Sequence, residues 1–191
     1  MRLKNHYFLL RHGEPTWGYK EIIYPKGNEH SVSLTELGKK QIRTIARRLK
    51  REKISLIICS PYRRTRETAE IVAKFLRLPI IFDKRLIDQK LGVYAGRPKT
   101  EYYQDFSRDP RKRFKMRPKN GESWQDVQKR IKSFLKDTEK KYQKKTILIV
   151  GHGDPLWFLW GGLKGFGNKK LLELDFIKKN HIKVGELKEI K

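Results

Sequence analysis

Two histidines stand where apolar runs stop. Tyr7-Phe8-Leu9-Leu10 ends in Arg11-His12-Gly13-Glu14, and Thr146-Ile147-Leu148-Ile149-Val150 ends in Gly151-His152-Gly153. A third apolar run, Ile54–Cys59, ends in Ser60-Pro61, with Arg63, Arg64 and Arg66 on the turn that follows. Guanidinium groups repel a metal cation, so this set argues against a metal site. It suits an anion, because the planar fork of arginine matches phosphate oxygens two at a time. An imidazole in such a pocket can attack phosphorus, and a second imidazole can donate to the phosphoryl oxygens. Gly13 lets the backbone turn there or lets a ligand come close.

A phosphoryl transfer to a histidine also needs an acid for the leaving alcohol. The sequence offers Glu14, Asp88, Glu122 and Asp154. Asp154, just ahead of Pro155, reads as a helix N-cap, and Glu122 reads equally well as a capping residue. Trp17, Tyr19 and Tyr24 are candidates for the wall of a substrate pocket. His6, His30 and His181 have no supporting context and read as surface or packing residues.

The elements that must position these groups follow from periodicity. Residues 5–12 and 54–59 read as buried strands, 78–82 as a short third strand, 146–150 as a fourth, and the tail His181–Ile190 as an edge strand. Residues 13–33, with Pro15, Gly18, Pro25, Gly27 and Asn28, read as a long loop. Thr35 is placed to cap a helix in which Ile42, Ile45, Ala46 and Leu49 share one face. Ser60-Pro61 predicts an N-cap and first helical residue, with the helix running to about Leu76. Glu122-Ser123 opens a third helix whose apolar face is Val127, Ile131, Phe134, Leu135, Thr138 and Tyr142. Asp154-Pro155 opens a fourth. The segment holding Asp88, Gly92 and Gly96 is irregular, and residues 98–120 read as a short helix and covering loop over a single domain spanning 1–191. Strands alternating with helices predict an α/β sandwich with a mostly parallel sheet, in which ligands sit beyond the carboxyl ends of the strands.

The chain carries 46 Lys+Arg against 21 Asp+Glu, a formal charge of +25. That surplus draws anions in without naming them. The run from Arg108 to Arg117 reads as a solvated cap or, alternatively, as a nucleic-acid or polyanion patch. The lone Cys59 makes an internal disulfide impossible and reads as a small buried hydrophobe. The apolar run after Met1-Arg2-Leu3-Lys4 is too short for a signal peptide or a membrane span, so a cytoplasmic location and no membrane partner are expected. A homodimer is left open.

Arg11-His12-Gly13-Glu14 resembles the signature of the histidine phosphatase superfamily, the phosphoglycerate mutase-like group. The likeness continues through Leu34-Thr35-Glu36-Leu37-Gly38 with Gln41, Ser60-Pro61 with Arg64 and Thr68-Ala69, Leu86-Ile87-Asp88 with Gly92 and Gly96, Gly121-Glu122-Ser123, and Gly151-His152-Gly153. Six segments in the family's order cover nearly the whole chain. The resemblance implies a three-layer α/β/α sandwich of phosphoglycerate mutase-like fold. It also implies a cofactor-independent phosphomonoesterase acting on a small phosphorylated substrate, with no metal. By resemblance His12 is the nucleophile that forms a phosphohistidine. Arg11, Arg64, His152 and the Gly153 N–H hold the phosphoryl group, and Asp88 is the proton donor. Three departures stand out. Asp88 replaces the usual glutamate and is one methylene shorter, Pro15 replaces a small hydroxyl residue, and Gly18 replaces an asparagine. Only Gln89–Asn120 separates the acid from Gly-Glu-Ser, where mutases of the family tend to carry longer insertions. This favours a phosphatase over the alternatives, a phosphoglycerate mutase-type transferase or a basic nucleic-acid-binding protein retaining the fold.

Overall fold

A computed structural model describes residues 3–17, 22–24, 30–106, 110–176 and 181–190. Gly18, Tyr19, Pro25, Gly27 and Asn28 of the first loop, and Arg108 and Asp109 of the basic run, lie outside the described residues. The sheet has five strands: β1 (His6–Arg11), β2 (Leu56–Cys59), β3 (Ile80–Phe82), β4 (Thr146–Gly151) and β5 (Leu187–Ile190). Their spatial order is β3-β2-β4-β1-β5, with β5 alone antiparallel, on the edge beside β1.

Alternation along the strands explains the three layers. Tyr7, Leu9, Ile58, Ile147 and Ile149 face one core, shared with α5 (Trp124–Lys141) and α6 (Gly153–Leu163). Phe8, Leu10, Ile57, Cys59, Leu148 and Val150 face the other, shared with α1 (Glu36–Leu49) and α2 (Arg63–Leu76). Successive strand residues point to opposite faces, so a strand covered on both sides must be apolar throughout. Ile42, Ile45, Ala46 and Leu49 are the buried stripe of α1, and the Thr35 hydroxyl accepts from the Gly38 N–H, as its spacing predicts. α6 is apolar all round because it lies between α5 and the chain returning through Leu171 and His181.

Several boundaries differ from the sequence reading. Ser60-Pro61 does not cap α2, whose N-cap is Tyr62 with no side-chain bond. The Ser60 hydroxyl is taken by His152 instead. Asp154 does not cap α6 either. His152 is the N-cap and Asp154 sits inside the first turn, where its carboxylate accepts from Trp124 Nε1 at 2.9 Å. Glu122 lies outside α5, which is capped by Ser123 in a reciprocal arrangement with Asp126. Residues 98–120 hold two helices, α3 (Lys99–Phe106) and α4 (Pro110–Lys115). Helix α7 (Asn168–Phe176) had no periodic signal; its anchor, Leu171, packs so closely on Gly161 that a Cβ there would lie 2.4 Å from the leucine Cδ2. No helix among the described residues is long and apolar enough to cross a membrane.

Candidate active site

The carboxyl ends of β1, β4 and β2 adjoin, and this brings the polar cargo together. Arg11 is opposite Gly151 and Cys59 is opposite Val150, so Arg11-His12, Gly151-His152 and Ser60 leave the sheet side by side. The N–H groups of His12 and Ser60 donate to Gly151 O and Val150 O, at 3.2 and 3.1 Å, extending the ladder one step past the strands. Gly13 packs against the start of α1, where a Cβ would lie 2.7 Å from Gly38 O; it serves close approach of backbone rather than a left-handed turn.

The His12 ring is buried and its Nδ1 lies 2.8 Å from Gly13 O. A carbonyl only accepts, so Nδ1 carries the proton and Nε2 keeps its lone pair. Burial, then the charges of Arg64, His152 and Arg11, hold its pKa well below the usual histidine value. At neutral pH the ring is therefore uncharged, with a lone pair available on Nε2. Its neighbour His152 is fully buried, 5.4 Å away centroid to centroid. Burial, then Arg64, Arg11 and Arg130, hold that pKa well down too. A neutral His152 still has one ring N–H to donate, so no second proton is needed for it to act as a donor. The Ser60 hydroxyl lies 2.9 Å from its Nε2, and in the tautomer with the ring proton on Nδ1 that Nε2 accepts from it. That Nδ1 is buried without a hydrogen-bond partner among the described residues, and Asp88 Oδ2 is 3.6 Å from it.

Of the three arginines that follow Ser60, only Arg64 enters the site. It is fully buried and donates to Asp88 Oδ2 at 2.9 Å, with the rings of Tyr24 and Tyr62 at 4.4 and 5.3 Å from its Cζ. Arg63 is exposed on Glu67, and Arg66 is exposed over Phe82. Arg11 donates to Ile182 O at 3.1 Å, and its Nε is a buried donor without a partner among the described residues. Gly153 opens α6 directly against that guanidinium; a Cβ there would lie 3.3 Å from Arg11 Cζ, so glycine lets the cation sit at a helix N-terminus. Buried donors that lack a partner, gathered at one sheet edge with two guanidiniums, define an anion cradle.

Asp88 reaches this cradle directly despite its missing methylene, because its loop comes close. Glu14, by contrast, is absent from the pocket wall; its N–H donates to Gln41 Oε1 and its carbonyl accepts from Thr35. Glu122 binds Arg130 rather than the pocket. Asp154, read from sequence as a cap, lines the pocket. So do Tyr24, Gln89, Leu91, Lys99, Tyr102 and Tyr103, in a cavity of about 290 Å³ beside Arg11, Arg64 and Asp88. Trp17 does not line it, and neither does any described residue of the basic run 110–117. There, Phe114 is buried and Arg117 pairs with Asp126 of α5, so this segment covers the helix layer and not the cavity mouth. His181 is a packing residue, stacked on Trp157 at 4.2 Å and bound to Asp175. His6 sits on the surface beside Glu189. Cys59 is buried in the core, where desolvation pushes its thiol pKa up.

This order of side chains on this sheet defines a phosphate-handling α/β protein. The chain belongs to the histidine phosphatase superfamily (branch 1), whose sequence model matches residues 7–188. It is similar to phosphoserine phosphatase 1 of Hydrogenobacter thermophilus, 32% identical over 82% of this chain and 75% of that one. It is also similar to a protein of Escherichia coli named "Probable phosphoglycerate mutase", 34% identical over 83% of this chain and 74% of that one. Among solved structures, YhfR of Bacillus stearothermophilus superimposes with a TM-score of 0.81 at 26% identity, covering 98% of this chain and 91% of the other. A mycobacterial glucosyl-3-phosphoglycerate phosphatase, at 21% identity, shares the fold with a TM-score of 0.82 over 97% and 92%.

Proposed function

We propose that this protein hydrolyses monoesters of small phosphorylated metabolites through a phosphohistidine on His12. The observation that carries this is the imidazole itself: neutral, its Nδ1 proton committed to Gly13 O, its Nε2 left bare, and the whole ring within the field of Arg64 and Arg11 and 5.4 Å from the ring of His152. In the first step Nε2 forms a bond to phosphorus and the P–O bond to the alcohol breaks. Asp88, in its acid form, gives its proton to the departing oxygen. In the second step water attacks phosphorus, Asp88 takes the proton from that water, and the N–P bond breaks to release inorganic phosphate and restore neutral His12. Arg11, Arg64, His152 Nδ1–H and the Gly153 N–H hold the phosphoryl oxygens through both steps, the kind of preorganised charge stabilisation on which phosphoryl transfer depends. No cofactor enters this sequence.

The alcohol lies in the cavity walled by Tyr24, Tyr102 and Tyr103, with Lys99 positioned to meet an acidic substituent. Phosphoserine and 3-phosphoglycerate are therefore the first esters to try. The decisive experiment quenches turnover in denaturant without acid and seeks an N-linked phosphate on residue 12 by mass spectrometry. It is expected in the wild type and absent in His12→Ala. Full-rate hydrolysis without that species overturns the mechanism. Isomerisation of 3-phosphoglycerate without phosphate release identifies a mutase instead.

A further inference from the structure

We propose that Arg130 and Glu122 form a clamp that positions Asp88 for proton transfer, a role that rests on Asp88 being the acid of the mechanism above. The loop carrying Asp88 has little regular structure of its own: a 3₁₀ turn, Lys84–Leu86, capped by Asp83 and anchored by the fully buried Leu86. Past that anchor, its main hold is on the neighbouring segment and on α5. Arg130 Nη1 donates to Arg85 O and Nη2 donates to Asp88 O at 3.2 Å. The adjoining edge of the same guanidinium, Nε and Nη2, is held by both Glu122 oxygens, at 3.0 and 3.1 Å. Glu122 then closes on the loop by its own contacts: its Oε2 accepts from the Lys90 N–H, its N–H donates to Lys90 O at 2.8 Å, and its carbonyl accepts from Gln89 Nε2 at 2.7 Å. The two segments lie so close that a Cβ on Gly121 would be 2.7 Å from Lys90 O. Arg130 and Glu122 are both largely shielded from water, at 15% and 19% exposure.

The geometry has a purpose for an aspartate. A short side chain has little reach of its own, so the position of its backbone decides whether its oxygens meet the cradle. Misplacing a catalytic group by about 1 Å costs on the order of 100-fold in rate. The rigid planar fork of Arg130 spans a carboxylate on one edge and two carbonyls on the other, which the point charge of a lysine cannot do.

The test separates proton delivery from phosphate binding. An alkyl phosphate such as phosphoserine needs a proton on its leaving oxygen, whereas p-nitrophenolate leaves without one. Arg130→Lys keeps the charge felt by His152 but loses the fork. It is expected to lower kcat/KM for phosphoserine by about 30–100-fold and for p-nitrophenyl phosphate by no more than about 3-fold. Glu122→Gln should show the same selectivity more weakly. In an Asp88→Asn background, Arg130→Lys should cost phosphoserine hydrolysis nothing further, since the group it positions is gone. Equal losses on both esters, or none on either, overturn the clamp even where Asp88→Asn discriminates between them. If Asp88→Asn itself fails to discriminate, Asp88 is not the acid, and the clamp falls with that assignment.

Discussion

The pocket has a floor and a wall, and they are built differently. The floor is Arg11 and Arg64, with His12, Ser60 and His152 packed behind it; Arg11, His12, Ser60 and His152 leave the ends of central strands paired in register on both sides, and most of the five are almost fully buried. The wall comes from residues 22–24, 89–95 and α3, outside the main sheet, and includes half-exposed groups such as Tyr103 and Lys99. The floor is part of the core and cannot move without disturbing both apolar layers. The wall packs mainly on itself, through a small cluster of Ile23, Tyr94 and Tyr102. The lesson is a division of labour: the charged groups are fixed on the rigid scaffold, and the rest of the cavity lining on segments that can vary without unfolding it.

That division is broken most severely at Arg64, the floor cation whose aromatic lid reaches the wall through Tyr24. Arg64→Ala should lower kcat/KM about 100–1,000-fold on every ester alike, as loss of a phosphoryl donor does. Arg64→Lys should restore no more than about 10-fold, because the fork is lost. A loss that depended on the alcohol would place Arg64 in the wall. Ser60→Ala should cost about 10-fold in kcat, with little change in KM, by releasing the His152 tautomer. An unchanged rate would show that the imidazole needs no orienting partner.

The floor should also announce itself in stability against pH. His12 and His152 are held neutral in the fold, with pKa values below their unfolded value of about 6.5. Their contribution is therefore fully present above pH 6.5. It is lost as pH falls from there toward the folded pKa, because the unfolded chain takes up protons first. Unfolding free energies from denaturant titrations between pH 7.5 and 5.5 should fall less steeply in His12→Asn than in wild type, by up to about 1.4 kcal/mol per pH unit. Identical slopes would mean His12 is hydrated in the native state. The smallest effect belongs to the wall: Lys99→Ala should raise KM about 3–10-fold for acidic esters such as phosphoserine and leave p-nitrophenyl phosphate nearly unchanged.

Where sequence reasoning worked, the signal was local. An apolar run ending in Arg-His-Gly is a buried strand delivering polar groups, and β1 and β4 do this in register. Thr35 capped the helix its spacing predicted, and the stripe of α5 faced the core. Reasoning from the residues alone could not choose among Arg63, Arg64 and Arg66, since all three lie on one turn; the family resemblance pointed to Arg64, and burial marks it out. Asp154 and Ser60 looked like caps because Asp-Pro and Ser-Pro usually are. Each is instead turned to a partner more than 25 residues distant, Trp124 and His152, which no local pattern can announce. The Glu122–Arg130 pair at i,i+8 was invisible for the same reason.

The amino-acid order alone determined that β1, β2 and β4 are buried and which side chains leave their carboxyl ends, because strand periodicity and hydrophobicity act over neighbouring residues. It also specified a basic, single-cysteine chain. Only the tertiary structure decided that His12 keeps Nε2 bare, that His152 is buried and neutral beside it, and that Asp88 reaches the cradle from a loop braced by α5. Those are matters of proton placement and of distances near 3 Å between groups far apart in the chain. They are settled by burial and by what packs beside each ring, not by the residue that precedes it.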